Sequence, residues 1–258
     1  MEGKKAHVGT IYVFGGLGNI LFQLAAAKYL QNNGVKVIVN NTLSTRNIFT
    51  RLLNWTIHDN FDLISEEFSE FVISKNLGIL DLIYLARVFI SRRYFKSSRF
   101  DDLSLYNRRF LGYFQKSLVS DTLLDSYLIS VADSLKAKLN ANFASDCVVH
   151  HRSQENDWSG ECNAFEQHGV LLDRFTAIHV LTDDVFSARG IYKNECLYQI
   201  SRGELIDDLS RMTYAKCFLG ASSTLSFWAC LMNSNEVHID TSFLKDKLPV
   251  RLLNLGRP

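Results

Sequence analysis

Proline is almost missing from this chain: of 258 residues, only Pro249 and Pro258 are prolines, so composition marks no linker. Cysteine is sparse and odd in number, with single residues at 147, 162, 196, 217 and 230. None forms a C-x-x-C pair, and no histidine completes a zinc-ligand spacing. Buried or free thiols in a reducing compartment are expected. Net charge is lacking as well. With 28 basic and 27 acidic residues the formal charge is +1, so no global field points to nucleic acid or an acidic polymer. Long apolar runs are also absent. Leu77 to Ile90 is interrupted by Asp81 and Arg87 and falls short of the ~20 residues a spanning helix needs. The opening residues lead into the short run before Gly15-Gly16, which reads as a strand and not as a signal peptide. A soluble, cytoplasmic protein is expected.

What is present is a globular composition, 47% apolar and 21% charged, with length for one large or two compact domains. Val8 to Phe14 is a β-branched and aromatic run. Leu17 to Gly34 then repeats its apolar residues at helical spacing, and Val35 to Val39 is a second strand. Strand, glycine turn, helix, strand is a βαβ unit, which implies a parallel sheet. The middle, about Arg46 to Leu111, is expected to be mainly helical. It carries a basic set of Arg87, Arg92, Arg93, Lys96, Arg99, Arg108 and Arg109. Ser126 to Leu139 reads as a helix joining two domains.

The second half repeats the pattern. Strands are expected at Cys147–His150, Thr176–Leu181, Cys217–Gly220 and Glu236–Ile239, with helices at Glu204–Lys216 and Leu225–Met232. Each polar cluster follows the carboxyl end of a strand, where open α/β sheets bind ligands. Two Rossmann-like domains facing a cleft are expected.

Four clusters offer chemistry. Gly15-Gly16-Leu17-Gly18-Asn19 opens a helix, but lacks the third glycine of a dinucleotide fingerprint and the Lys-Ser/Thr of a P-loop. It is either a tight turn into a buried helix or an anion site at the positive end of a helix dipole. His150-His151-Arg152 ends a strand, so His150 and Arg152 project to one side. Arg152 suits a diphosphate, with a surface ion pair as the alternative. His150 is a core histidine or a catalyst. Leu181-Thr182-Asp183-Asp184 offers Asp183 for a ribose diol or guanine edge, or for an Asx turn or helix cap. Ser222-Ser223-Thr224 ahead of Leu225 can cap a helix and bind phosphate oxygens at its dipole.

Taken in order, these blocks resemble a known family. Gly16-Leu17-Gly18-Asn19-x-x-Phe22-Gln23-x-Ala25 resembles the G-G-L-G-N-Q-x-F-Q-x-A opening of the α-1,2-fucosyltransferases (bacterial O-antigen type, glycosyltransferase family 11). Gly112-Tyr113-Phe114-Gln115 is similar to their G-Y-[FW]-Q element, and His150-His151-Arg152 to the start of H-x-R-R-x-D. Leu181-Thr182-Asp183-Asp184 resembles [FV]-S-D-D, and Ser222 to Ala229 resembles S-S-[TF]-x-[SG]-[FW]-W-[GAS]. The first and last blocks are the specific ones.

The resemblance implies a GT-B fold, with residues 1–130 as the acceptor-side domain and residues 131–258 as the GDP-sugar donor side. It implies an inverting, metal-independent transfer of L-fucose from GDP-fucose to a galactose-type hydroxyl in α-1,2 linkage. The pathway implied is O-antigen or other surface polysaccharide synthesis. GDP-fucose is then a co-substrate, and no metal or other cofactor is called for. By carry-over Arg152 binds the β-phosphate, Asp183 holds the guanosine, and Ser222, Ser223 and Thr224 ligate the pyrophosphate. Gly16, Gly18 and Asn19 lie near the transferred sugar, and His150 belongs to the catalytic motif. An inverting reaction also needs a base, for which Glu161, Asp157 and Glu155 are candidates unless the leaving phosphate takes the proton.

Three departures stand out. Ser153 replaces the second arginine, two extra residues precede Asp157-Trp158, and Ile20 replaces the glutamine after Asn19. They leave room for another GDP-deoxysugar donor or an inactive glycan- or nucleotide-binding homologue. The basic stretch Arg87 to Arg109 reads either as a solvated face or as a peripheral contact with an anionic inner-leaflet membrane, bringing a lipid-linked acceptor within reach.

Overall fold

The computed structural model describes residues 7–44, 60–90, 109–112, 114, 121–152, 171–194, 196–221 and 223–239. The chain divides into two compact units, Met1–Leu135 and Lys136–Pro258.

The first unit is built on four parallel strands. β1 (Val8–Tyr12) leads through Gly15 and Gly16 into α1 (Leu17–Asn32), and β2 (Lys36–Asn40) returns beside β1. β3 (Val72–Ser74) extends the sheet past β2, whereas β4 (Arg109–Phe110) pairs on the other side of β1. The order is β3-β2-β1-β4. Gly15 has a φ of +84°, a turn conformation that a side chain would strain. α1 is buried around most of its circumference, from Leu17 and Ile20 through Ala25, Ala26 and Ala27 to Leu30. A helix apolar on every side needs cover on every side, and its Ala and Leu content favours the helix as well.

Polar pins hold this unit in register. Gln23, fully buried, accepts from the Phe14 N–H through Oε1 at 3.0 Å and donates to the Gly112 carbonyl at 3.1 Å. Asn40 donates to the Asn76 carbonyl at 2.8 Å and accepts from the Thr42 N–H at 3.0 Å. α2 (Ile79–Ile90) is tied down where Tyr12 Oη donates to Asp81 Oδ1 at 2.6 Å and Arg109 Nε donates to the same oxygen at 2.8 Å. α3 (Asp121–Lys136) meets α1 through Lys28, whose ammonium reaches Ser130 Oγ at 3.1 Å and pairs with Glu70 at 3.1 Å. Among the described residues the middle of the chain holds α2 and a helical turn at Ser65–Phe68, together with the two short strands β3 and β4, which were not expected. Arg109 is a correction too: it is paired with Asp81 and is no part of a solvated basic face. Arg92, Arg93, Lys96, Arg99 and Arg108 lie outside the described residues.

The second unit has five parallel strands in the order β7-β6-β5-β8-β9. These are β5 (Cys147–His151), β6 (Ile178–Thr182), β7 (Tyr198–Ser201), β8 (Cys217–Gly220) and β9 (Glu236–Ile239). β5 and β8 are covered on both faces, as the inner strands of a parallel sheet must be. One face packs Cys147, Val149, Ile178, Val180, Cys217 and Leu219 around Tyr192 and Ala188. The connecting helices are α4 (Val185–Ile191), α5 (Leu205–Tyr214) and α6 (Thr224–Met232). α6 buries Trp228 completely, and Asn233 just beyond it closes the turn by donating to the Met212 and Ala215 carbonyls. Both units are Rossmann-like α/β folds, as expected. Among the described residues, no helix is long and apolar enough to cross a membrane.

Candidate functional site

The second sheet reverses direction at its middle. From β5 the chain winds outward through β6 to β7, then returns to the other side of β5 for β8 and β9. The crevice beyond the carboxyl ends of β5 and β8 is therefore the topological switch point, where open α/β sheets take their ligands. Three of the sequence clusters end at this edge.

β5 delivers His150 and, just past its end, Arg152, with alternate side chains on one face. Arg152 is exposed and has no ion-pair or hydrogen-bond partner among the described residues. β8 leads into α6, whose N-cap is Ser223 in extended conformation, with its hydroxyl accepting from the Ser226 N–H at 3.1 Å. The first-turn N–H groups of such a helix and its dipole favour an anion at this position. Thr224 opens the helix, half-buried. β6 ends at Thr182, which places Asp183 exposed at the same edge. Asp184 is the helix cap: its carboxylate accepts from the Ser187 N–H at 3.0 Å and starts α4.

Two histidines flank this edge in different states. His150 Nδ1 lies 2.7 Å from Ser226 Oγ. Burial, then the neighbouring Arg152 charge, pushes its pKa down to about 4, so the ring is neutral at physiological pH. His151 points to the opposite face, edge-on to Tyr192 with ring centroids 5.6 Å apart, and burial lowers its pKa as well. Both of its ring nitrogens are buried without a hydrogen-bond partner among the described residues.

In the first unit, Gly16 is the N-cap of α1, while Gly18 and Asn19 lie in its first turn. They sit beyond the carboxyl end of β1, which is also the reversal point of that sheet. Gln23, noted in the sequence only as part of a resemblance, is the residue that fixes this turn to the segment after β4. Glu161, Asp157, Glu155, Ser153, Tyr113, Gln115 and Ser222 lie outside the described residues. Ser226 was missed as a site residue. The available signal was its three-residue spacing from Ser223, which put its hydroxyl on the strand-facing side of the first helical turn.

Among the described residues one group has metal-ligand character: Cys217, Glu236 and His238, with donor atoms within 4.8 Å of one another. It lies at the opposite, amino-terminal edge of the sheet. Its carboxylate is already engaged by Arg174 at 3.0 and 3.2 Å and by His238 Nε2 at 2.9 Å. Those partners, His238 first, hold the Glu236 pKa low. The Glu236 carboxylate is thus occupied by Arg174 and His238, and the Cys217 thiol is hydrogen-bonded to Cys147.

No protein-family model matches the chain. No curated protein matches it either. Among solved structures, it is similar to the glycosyl transferase family 9 protein from Veillonella parvula DSM 2008, with 7% identity and a TM-score of 0.46, over 93% of this chain and 82% of that one. It is also similar to fucosyltransferase NodZ from Bradyrhizobium, with 10% identity and a TM-score of 0.44, over 93% of this chain and 98% of that one. Likeness at this level says nothing about chemistry, which has to come from the side chains.

Proposed function

We propose that this chain is an inverting glycosyltransferase of GT-B type that moves L-fucose from GDP-fucose to a galactose-type hydroxyl of a glycan. The observation that carries the proposal is the convergence of His150, Arg152, Asp183 and the Ser223–Thr224 helix start at the switch point of one parallel sheet. Those are the sequence blocks that resemble the α-1,2-fucosyltransferases.

In this reading the pyrophosphate lies against the start of α6, with Arg152 on the β-phosphate and Asp183 on the guanosine. The bond from C1 of the sugar to the β-phosphate oxygen breaks, and its electron pair goes to that oxygen. Arg152 offers a fixed planar cation where this negative charge develops. The acceptor oxygen bonds C1 from the opposite face, inverting it, and gives its proton to a carboxylate or to the departing phosphate. Glu161, Asp157 and Glu155 are the proposed carboxylates. No step requires a metal.

The acceptor is proposed to belong to a surface polysaccharide, carried on a lipid at the inner face of the membrane. Ile79, Leu80, Leu82 and Ile83 project exposed from α2 ahead of Arg87, which favours a peripheral apolar and basic contact. Sedimentation with anionic and neutral vesicles checks that contact. Equal binding to both, or binding unaffected by high salt, removes it. The transferase reading is tested by turnover of a panel of GDP-sugars against galactose-terminated acceptors, with product linkage read by NMR. Fucose transfer in α-1,2 linkage is expected. Turnover confined to another GDP-deoxysugar, for which Ser153 in place of an arginine leaves room, corrects the donor; no turnover of any GDP-sugar overturns the reading.

A further inference from the structure

We propose that Ser226 is a positioning residue that locks His150 as a neutral hydrogen-bond donor, with its proton on Nε2, at the switch-point crevice. Ser226 is completely buried, and its hydroxyl has two partners, His150 Nδ1 at 2.7 Å and Ser223 Oγ at 3.2 Å. Ser223 is 2% exposed, and its hydroxyl oxygen already accepts from the Ser226 N–H at 3.1 Å. Each hydroxyl has a single proton to place and lone pairs to receive others.

Two arrangements are possible. If Nδ1 carried the histidine proton, it would donate to Ser226, and one buried hydroxyl proton, that of Ser223 or of Ser226, would have no acceptor among the described residues. An unmade hydrogen bond of that kind is costly. If Nδ1 is bare, Ser223 donates to Ser226 and Ser226 donates to Nδ1, so both hydroxyl protons are placed. The second arrangement leaves Nε2 carrying the proton, and that nitrogen has no partner among the described residues. Gly220 permits the close approach: a Cβ there would stand 3.1 Å from Ser226 Cβ.

His150 is no base for the acceptor hydroxyl, because its one lone-pair nitrogen is filled by Ser226. It presents an N–H beside the Arg152 guanidinium, a second donor for an anionic oxygen without a second positive charge. What the donor meets, a phosphate of the nucleotide sugar, rests on the functional reading above; the lock itself does not.

The test is a long-range proton–nitrogen NMR correlation on the nitrogen-15-labelled full chain, with the His150 signals assigned by their loss in His150→Gln. The wild-type spectrum is expected to show a protonated Nε2 and a bare Nδ1 across pH 5 to 8. In Ser226→Ala both tautomers should appear, and GDP should bind about tenfold more weakly, the worth of one hydrogen bond to a charged group. Ser226→Thr, which keeps the hydroxyl, should retain the wild-type tautomer. A wild-type Nδ1–H tautomer, which needs no variant to fold, overturns the proposal. So does an unchanged tautomer in Ser226→Ala. A locked Nε2–H tautomer in a protein that fails to bind GDP supports the lock and overturns the GDP-sugar reading instead.

Discussion

Substitution separates Arg152, proposed for the chemistry, from Gln23, which holds the fold. Arg152→Ala removes an exposed side chain, so the free energy of unfolding in urea should change by no more than ~0.5 kcal/mol. Transfer should fall by at least about a hundredfold, the scale of losing one transition-state charge partner. Arg152→Lys should restore little of it, since a point charge replaces a two-pronged donor. Activity within threefold of wild type in the alanine variant would remove Arg152 from the chemistry. Gln23→Ala should behave the other way. It orphans the Phe14 N–H and the Gly112 carbonyl in a fully buried place, at a cost of about 2–4 kcal/mol by urea unfolding. His150 adds a pH signature. The unfolded histidine takes a proton near pH 6.5 and the folded one only near 4, so between those limits the unfolded state holds more protons. Its contribution is complete above about pH 6.5 and is lost as pH falls towards 4. Asp208, raised to about 6 by burial, works in the opposite sense over the same window, which makes the variant difference the clean readout. His150→Gln should lose about 1–2 kcal/mol less stability than wild type between pH 7 and 5, measured by urea unfolding.

At the scale of elements, the Tyr12–Asp81–Arg109 bonds join β1, α2 and β4 at one carboxylate. Burial alone would raise the Asp81 pKa, but the bonds from Tyr12, Arg109 and the Gly78 N–H outweigh it and hold the group ionised. Asp81→Ala leaves a buried phenol and a half-buried guanidinium unpaired, and should cost about 2–4 kcal/mol in urea. A loss below ~0.5 kcal/mol would mean that water satisfies both groups. Nothing in the sequence announces this join. Asp81 reads as an interruption of an apolar run, and its partners lie 69 and 28 residues away. The legible elements are those long enough to show a period: α1, β1, β2, α3, α5, α6 and the strands of the second sheet from Cys147, Ile178, Cys217 and Glu236. β3 and β4, at three and two residues, are too short for alternation to register. β7, Tyr-Gln-Ile-Ser at a sheet edge, alternates, but four residues with none fully buried are too few for the period to register. The switch-point edge was legible because polar residues there follow apolar strands at once. The partnership of His150 with Ser226, 76 residues apart, was not, since it depends on which face of α6 meets β5.

At the scale of the whole molecule, the proposed mechanism, with Arg152 on the leaving group, is expected to give a rate unchanged by EDTA. A strict requirement for a divalent cation would overturn that assignment of labour. The near-balanced charge of +1 sets a second limit. The proposed donor would then meet no global field to steer it, so its on-rate should respond to salt only weakly. The thiols set in the core of the second unit carry a different consequence. Cys147 and Cys217 lie side by side on β5 and β8, and Cys230 is buried in α6, whereas Cys196 is exposed. The Cys147 thiol is held protonated by its bond to Cys217 and by burial, and Cys230 by burial alone. A thiol-reactive dye should therefore mark Cys196 within its mixing time and reach the buried three only when the sheet opens. Labelling read cysteine by cysteine then becomes an internal clock for breathing of the β5–β8 seam, which runs from those thiols at one edge to His150 and Arg152 at the other.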